Sequence, residues 1–352
     1  MLNKEELLQY RRHLTLEDIG DKGQNKLKSA KVLVVGAGGL GCPILQYLTA
    51  AGVGTIGIID HDTVDQSNLQ RQILYSFDDI GKFKVSCAIS KLERLNRFVK
   101  FKAYIERLTK ANALKIFKSY DIIVDGTDNF NTRYLVNDAA VLSEKPVVFG
   151  SIFKFEGQVS VYNYKNGPTY RCLFPKPPED ALNCEEAGVL GVLPGIIGCL
   201  QANEVIKMIC EIGEVLSGKL LVLNTLTMNQ NILAYDKTVH AHVTYIADVN
   251  EACDINEPLK YLTFDEYLKH KEDFFLLDVR TLKEHNMFHL SHDYHIPLKE
   301  LHERYFELKT EKPILVYCQS GRRSAQAIKL LKKLNVNNKL YNLKNGLQHP
   351  IA

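Results

Sequence analysis

The stretch Val32–Cys42, Val-Leu-Val-Val-Gly-Ala-Gly-Gly-Leu-Gly-Cys, limits what this chain can fold into more than any other. Four apolar residues rich in valine read as a buried strand of a parallel sheet, since such strands are covered on both faces. The glycines that follow match G-x-G-x-x-G at Gly36, Gly38 and Gly41, with Gly39 beside them. Glycine suits a tight turn whose backbone must approach a phosphate with no Cβ in the way. Leu40–Ala51 then reads as a helix whose free N-terminal amides face that anion. Strand, glycine turn and helix in this order predict a Rossmann-like α/β sheet that binds a nucleotide, and they leave the reaction open.

With 352 residues, 45% apolar and 24% charged, the chain can fill two hydrophobic cores. Forty-four basic against forty-one acidic residues leave +3, which favours neither nucleic acid nor a membrane surface as the main partner. The opening Met-Leu-Asn-Lys-Glu-Glu lacks the charged-then-apolar pattern of a secretion signal, and no apolar run approaches the roughly 20 residues of a membrane span. The expectation is a cytoplasmic protein. Its eight cysteines are then thiols, ligands or nucleophiles rather than a disulfide scaffold.

Residues Leu2–Leu27 read as helical and carry Arg11 and Arg12, which by pattern alone are a solvated basic face. Thr55–Ile59 is a second strand ending at Asp60, where an acid can hold ribose hydroxyls. A dehydrogenase normally runs straight into a helix here, whereas this chain has a polar turn, Asp60-His-Asp-Thr-Val-Asp-Gln-Ser-Asn-Leu-Gln-Arg-Gln72. Asn68, Arg71 and, opening a helix to about Asn96, Lys84 offer an amide and two cations to a triphosphate. Each alone suits an ordinary surface residue equally well. Asp121–Val124 is a strand leading into Asp125-Gly-Thr-Asp-Asn129, at the binding edge of an open α/β sheet. Asp128 suits Mg²⁺ shared with phosphates, or a cap on the helix from Phe130. Strands follow at Pro146–Gly150 and Gly157–Tyr164. Pro168–Gly198, rich in proline and glycine, reads as a long mobile connection with Gly188, Gly191 and Gly195 as hinges. Within it Cys184 is either a nucleophile or an inert thiol. A helix over Ile196–Ile212 and strands Leu220–Leu223 and Gln230–Ala234 complete this half.

Five stretches, Gly36-Ala-Gly-Gly-Leu-Gly-Cys42, Ser67-Asn-Leu-Gln-Arg-Gln72, Asp125-Gly-Thr-Asp-Asn129, Tyr170-Arg-Cys172 and Asn183-Cys184, resemble in this order the MoeB/ThiF family, relatives of ubiquitin-activating enzymes. The resemblance covers about Leu7–Tyr235. It implies adenylation, with ATP and Mg²⁺, of the C-terminal glycine of a small ubiquitin-like sulfur-carrier protein ending in Gly-Gly. It also implies that Asp60 holds the ribose, that Asn68, Arg71 and Lys84 hold the phosphates, and that Asp128 binds Mg²⁺. Arg12 would reach across a homodimer into the nucleotide of the second copy. Cys184 matches the loop cysteine that links covalently to the carrier in sulfur-transferring members. Many members hold zinc with two C-x-x-C pairs; here Pro175 stands opposite Cys172 and Asn250 opposite Cys253, so no zinc is expected.

The resulting domain reading is an adenylyltransferase domain over 1–235, a polar linker over 236–257, and a small α/β domain over 258–352. In the last, a strand Phe275–Val279 ends in Asp278-Val-Arg280, and Ile314–Tyr317 runs into Cys318-Gln-Ser-Gly-Arg-Arg323 and a helix over Ser324–Leu334. A thiol at the end of a strand, facing helix N-terminal amides with Arg322 and Arg323 nearby, is placed to react as a thiolate; an inert core cysteine is the alternative. The arrangement resembles a rhodanese domain, with Asp278 and Arg280 in support. The resemblance implies a persulfide on Cys318, and the six-residue loop suits sulfane sulfur better than a phosphate oxyanion. Phe288 replaces the usual glycine before His289.

Joined, the two halves predict that AMP activates the carrier's carboxylate and that sulfur, supplied through Cys318 by a sulfur donor or cysteine desulfurase, displaces it. The favoured carrier is the small subunit of molybdopterin synthase, because the Asn183-Cys-Glu-Glu-Ala-Gly stretch and the rhodanese fusion resemble that branch of the family. The thiamine and tRNA-thiolation carriers use the same chemistry. A NAD-dependent oxidoreductase leaves the amide-rich turn unexplained, and a sulfur-relay scaffold without adenylation leaves Arg71, Lys84 and Asp128 unexplained.

Overall fold

The strands assemble into two separate sheets, each within its own unit, Met1–Glu251 and Ala252–Ala352. The computed structural model describes residues 1–176, 188–246, 259–334, 336 and 338–348. The strands of the first unit are β1 (Lys31–Val35), β2 (Thr55–Ile59), β3 (Lys100–Tyr104), β4 (Ile122–Asp125), β5 (Val147–Phe153), β6 (Glu156–Tyr162), β7 (Lys219–Asn224) and β8 (Gln230–Ala234). They lie in the order β3-β2-β1-β4-β5-β6-β7-β8, parallel from β3 to β5 and antiparallel from there to β8. The second unit has β9 (Lys260–Leu262), β10 (Phe275–Asp278), β11 (Asp293–His295), β12 (Ile314–Tyr317) and β13 (Leu340–Leu343), all parallel in the order β11-β10-β12-β13-β9. Both are α/β folds, the first Rossmann-like.

Along β1 the alternation sends Val32 and Val34 into one core and Leu33 and Val35 into the other. Burial on both faces is worth about 2 kcal/mol for each such side chain. Chain order reverses between β1 and β4, and an open sheet parts there to leave a crevice at the strands' carboxyl ends. Close backbone contacts shape that point. A Cβ on Gly41 would lie 2.1 Å from the carbonyl oxygen of Gly36, and Gly36 itself has φ +93°. The helix Gly41–Ala51 begins directly after this turn.

Four expectations change. Leu2–Leu27 is three short helices, Lys4–Gln9, Arg11–Leu14 and Gly20–Ser29. Asn3 caps the first through the amides of Glu5 and Glu6. The long connection ends earlier than expected, because Val192–Cys210 is one helix that includes Gly195 and Gly198. A Cβ on Gly198 would lie 2.6 Å from the Leu40 carbonyl and 2.5 Å from Pro43, so glycine there lets two helices touch, while Gly195, expected as a hinge, is a residue of this helix. This helix is also long and apolar enough to cross a membrane, with mean hydropathy 1.3, where the sequence reading finds no such run. Its length and composition reflect the core it fills, since Leu193, Ile197, Ala202 and Val205 are buried. Residues 236–246 pack on the first unit: Ala241 is buried, and the amide of Thr238 donates to Cys172 Sγ at 3.5 Å.

Candidate active site

The crevice at the ends of β1 and β4 opens into a cleft of about 470 Å³ lined by Gly36, Gly38, Gly39, Asp60, Arg71, Lys84 and Asp128, among others. Asp60, at the end of β2, is fixed by the turn it faces. Its Oδ2 accepts from the Ala37 amide and its Oδ1 from the Asp62 amide, both at 2.8 Å. Arg71 donates to the Ser67 carbonyl at 3.1 Å. Lys84, at the first turn of the helix Lys84–Leu95, is buried and reaches Asp62 Oδ2 at 3.2 Å. A buried ammonium needs a counter-charge, and Asp62, half exposed on the cleft rim, holds that place.

Across the cleft, Asp125 is fully buried and accepts from the Thr127 amide and hydroxyl at 3.0 and 2.6 Å. Burial holds its carboxyl above the ordinary carboxylate range, against the pull of Arg133. The result is a shaped turn that exposes Asp128, whose carboxylate makes no hydrogen bond or ion pair among the described residues. Asn129, not Asp128, caps the helix Phe130–Leu142, accepting from Thr132 at 2.9 Å. A carboxylate with nothing to hold, in a cleft that Arg71 and Lys84 also line, fits a hard cation shared with a ligand.

Three sequence candidates do not line this cleft, and the first, Gly41, is buried against the Gly36 carbonyl at the start of its helix. Asn68 lies in the turn Gln66–Asn68 and spends its Oδ1 on the Asp65 amide at 3.2 Å. Arg12 is exposed on Arg11–Leu14 and lines no part of its own chain's cleft. Gln72 belongs to the site although sequence reasoning passed over it. It is 4% exposed, lines the cleft, and its Oε1 has no hydrogen-bond partner. The signal was present in the amide-rich turn, but spacing alone cannot say which amide turns inward.

In the second unit, Cys318 follows β12 and is fully buried. Its Sγ lies 3.4 Å from both the backbone nitrogen and the hydroxyl of Ser324. The guanidinium of Arg323 donates to Glu284 at 2.8 and 2.6 Å; the side chain of Arg322 lies outside the described residues. Asp278 and Arg280 form a buried pair at the end of β10, with Nη2 to Oδ2 at 2.7 Å. His285 Nδ1 lies 3.1 Å from the same Asp278 oxygen. This pair braces the sheet edge through the Arg280 contact with the Phe288 carbonyl at 2.6 Å.

The remaining cysteines divide by environment. Burial pushes the Cys42 thiol up to about 12, so it is inert packing. Burial raises Cys172 as well, but amide donors from Thr238 and Thr169 outweigh it and leave that thiol below its ordinary value. Cys184 and Cys253 lie outside the described residues.

The ThiF family matches residues 10–241, and the rhodanese-like domain matches residues 263–349. The probable adenylyltransferase/sulfurtransferase MoeZ of Mycobacterium tuberculosis is 40% identical over 98% of this chain and 93% of its own. Adenylyltransferase and sulfurtransferase MOCS3 of Sus scrofa is 39% identical over 95% of this chain and 82% of its own. The sulfur carrier protein adenylyltransferase of Thermus thermophilus is 52% identical over 63% of this chain and 85% of its own. A crystal structure of E. coli MccB superposes over 67% of this chain and 74% of that one with a TM-score of 0.59, at 23% identity, a likeness of fold. This chain is a member of the ThiF family in which a rhodanese-like domain follows the ThiF domain.

Proposed function

We propose that this protein is an adenylyltransferase and sulfurtransferase that activates the C-terminal glycine carboxylate of a small ubiquitin-like sulfur carrier and releases it as a thiocarboxylate. The observation that supports this reading is the cleft itself, which Arg71, Lys84 and the uncommitted carboxylate of Asp128 line together beside a glycine turn. A carboxylate is a poor electrophile, so its oxygen attacks the α-phosphorus of ATP and pyrophosphate leaves with the bonding pair. Arg71 and Lys84 neutralise charge that grows on the phosphates, while Asp60 receives the ribose. Asn68 would give up its contact with Asp65 to reach the phosphates, and Arg12 would come from a second copy in a homodimer. Asp128 would hold Mg²⁺, which supplies further charge neutralisation when bound. Proline at 175 cannot ligate a metal, so we assign this end of the domain no zinc.

The terminal sulfur of a Cys318 persulfide, loaded by a sulfur donor or a cysteine desulfurase, then attacks the acyl carbon, and AMP leaves with the bonding pair. The carrier is now an acyl disulfide. Attack by Cys184 on the sulfur bonded to the acyl group passes the carrier to Cys184 as an acyl disulfide and frees Cys318 as a thiolate, whose attack on the Cys184 sulfur then breaks that S–S bond. The thiocarboxylate leaves with the electron pair, and the protein disulfide that remains is reduced by the thiols of the cytosol, where we place this chemistry. Among carriers we favour the small subunit of molybdopterin synthase.

The test mixes the protein with ATP, Mg²⁺, a sulfur donor and each Gly-Gly carrier, and weighs the carriers intact. Exchange of one oxygen for sulfur on the molybdopterin carrier alone is the expected result; exchange on the thiamine or tRNA-thiolation carrier reassigns the pathway. No adduct on any carrier overturns adenylation. Asp128→Ala should lower adenylate formation at least 100-fold, and an unchanged rate sinks the metal assignment.

A further inference from the structure

One face of the second sheet gathers histidines that neither proposed half-reaction uses. Register partners in these parallel strands project to the same face, and Asp278 of β10 is paired with His295 of β11 and Tyr317 of β12. Cys318, one residue on, packs in the opposite core. His285, on the helix Leu282–Met287, joins the group, with Nδ1 3.1 Å from Asp278 Oδ2 and 3.7 Å from Asp293 Oδ2. The chain reads His285-x-x-x-His289-x-x-x-Asp293. Its first step is about one helical turn, and its second is closed by the Asp293 amide donating to the Leu290 carbonyl at 3.4 Å. A ring nitrogen of His285, one of His289 and a carboxylate oxygen of Asp293 thereby lie within 4.8 Å of one another.

Asp293 lacks a cation. Its side chain is 3% exposed, and its side-chain partners among the described residues are the Tyr317 hydroxyl and the His285 ring, neither with a fixed positive charge. A buried carboxylate is ordinarily paired with a cation or bound to a metal. Arg280, just after β10, is taken by Asp278 and the Phe288 carbonyl. The rings are also oriented for a metal. The His285 carbonyl can only accept, so His289 Nδ1, 3.1 Å from it, carries the hydrogen and Nε2 keeps its lone pair. His285 Nδ1 likewise gives its hydrogen to Asp278. Neither Nε2 has a hydrogen-bond partner among the described residues. Metal-bound histidines characteristically donate their second nitrogen to a carboxylate or carbonyl, and metal-bound carboxylates are themselves hydrogen-bonded, as Asp293 is by Tyr317.

We propose that His285, His289 and Asp293 form a binding site for a transition-metal dication of the zinc class, with two imidazole nitrogens, one carboxylate oxygen and a position left for water. Zinc bonds of about 2.0–2.1 Å place tetrahedral ligands about 3.3 Å apart, so the three atoms have to close by at most about 1.5 Å. His289 is the ligand that moves. It is exposed and stacked on His285 at 4.2 Å with planes 21° apart, so both lone pairs reach one ion only after its ring turns out of that stack. His285 stays, held by Asp278 and by a second stack, with His295 at 4.2 Å. The His295 Nε2 in turn donates to the Arg280 carbonyl at 2.9 Å. Cys172 and Pro175, where no zinc is assigned, belong to the first unit.

The experiment titrates the full chain, freed of metal with EDTA, with Zn²⁺ by calorimetry, alongside His289→Ala and Asp293→Asn. The wild type should bind one Zn²⁺ that His289→Ala binds at least 10-fold more weakly, and Zn²⁺ should raise the melting temperature of the wild type alone. Asp293→Asn should show the same loss. Thiols and cleft carboxylates that take up Zn²⁺ do so equally in all three chains and cancel. No binding, or equal affinity and stabilisation in wild type and His289→Ala, overturns the proposal. So does a His289-dependent Co²⁺ complex whose spectrum carries thiolate charge-transfer bands. Mg²⁺ should not distinguish the chains, because imidazole is a poor ligand for a hard cation; a His289-dependent response to Mg²⁺ equal to that of Zn²⁺ overturns the assignment to the zinc class. Should Asp293→Asn fail to fold, His289→Ala, a change at an exposed residue, decides alone. No carrier, ATP or sulfur donor enters the measurement, so its outcome is independent of the proposed function.

Discussion

Gln72 shows how a buried polar atom reveals a ligand. An amide oxygen sealed from water without a donor costs about 1–3 kcal/mol. Its place on the cleft wall makes a nucleotide N–H or O–H the group that relieves it. Gln72→Met keeps the side chain's length and removes the amide acceptor, so it should leave the melting temperature equal or higher and weaken ATP binding about 3–10-fold. Calorimetric titration with ATP reads this, and unchanged affinity would make Gln72 a packing residue. Asn68 marks the opposite case. By sequence the two amides look alike, yet Asn68 closes a local cap with Asp65. Such short-range hydrogen bonds compete with any distant partner, and a motif does not say which wins.

Glu284 joins two helices. As the third residue of Leu282–Met287 it accepts from the Thr281 amide and hydroxyl, and it also receives Arg323 from the helix Arg322–Lys333. The Arg323 hydrogen bonds, with those of Thr281, bring its carboxyl down to about 2 from an ordinary 4.5. A carboxyl depressed on folding binds its proton more readily in the unfolded chain. Its contribution is therefore complete above about 4.5 and disappears as pH falls toward about 2. Glu284→Gln should cost about 1 kcal/mol at pH 7, with the side chain nearly one-third exposed, and little at pH 2. Denaturant unfolding followed by circular dichroism at both pH values checks this, and an equal loss at the two would place the effect elsewhere. Segments built this way were only partly legible beforehand. β1, β2 and β12 stood out because burial on both faces demands unbroken apolar runs. β3, Lys-Phe-Lys-Ala-Tyr, lies at a sheet edge with its lysines exposed, and β9 and β11 are three residues each. An edge or a short strand is held by its neighbour's backbone, which leaves no pattern of its own in the side chains.

The whole chain divides its chemistry as it divides its cores. The nucleotide cleft is lined by residues of the first unit, and the environment of Cys318 by residues of the second, each resting on its own sheet. On the proposed reading, activation and sulfur loading are then separable half-reactions. Cys318→Ser should form the carrier adenylate within about twofold of the wild-type rate, because none of the cleft residues belongs to its unit. It should yield no thiocarboxylate. Asp128→Ala should show the converse, gaining a sulfur atom at Cys318 from a donor at the wild-type rate while forming adenylate at least 100-fold more slowly. Intact mass of carrier and enzyme follows both steps in one experiment. Loss of adenylation in Cys318→Ser, with the variant folded, would mean that the second unit contributes to the first reaction, and would replace a relay of two sites with one shared centre.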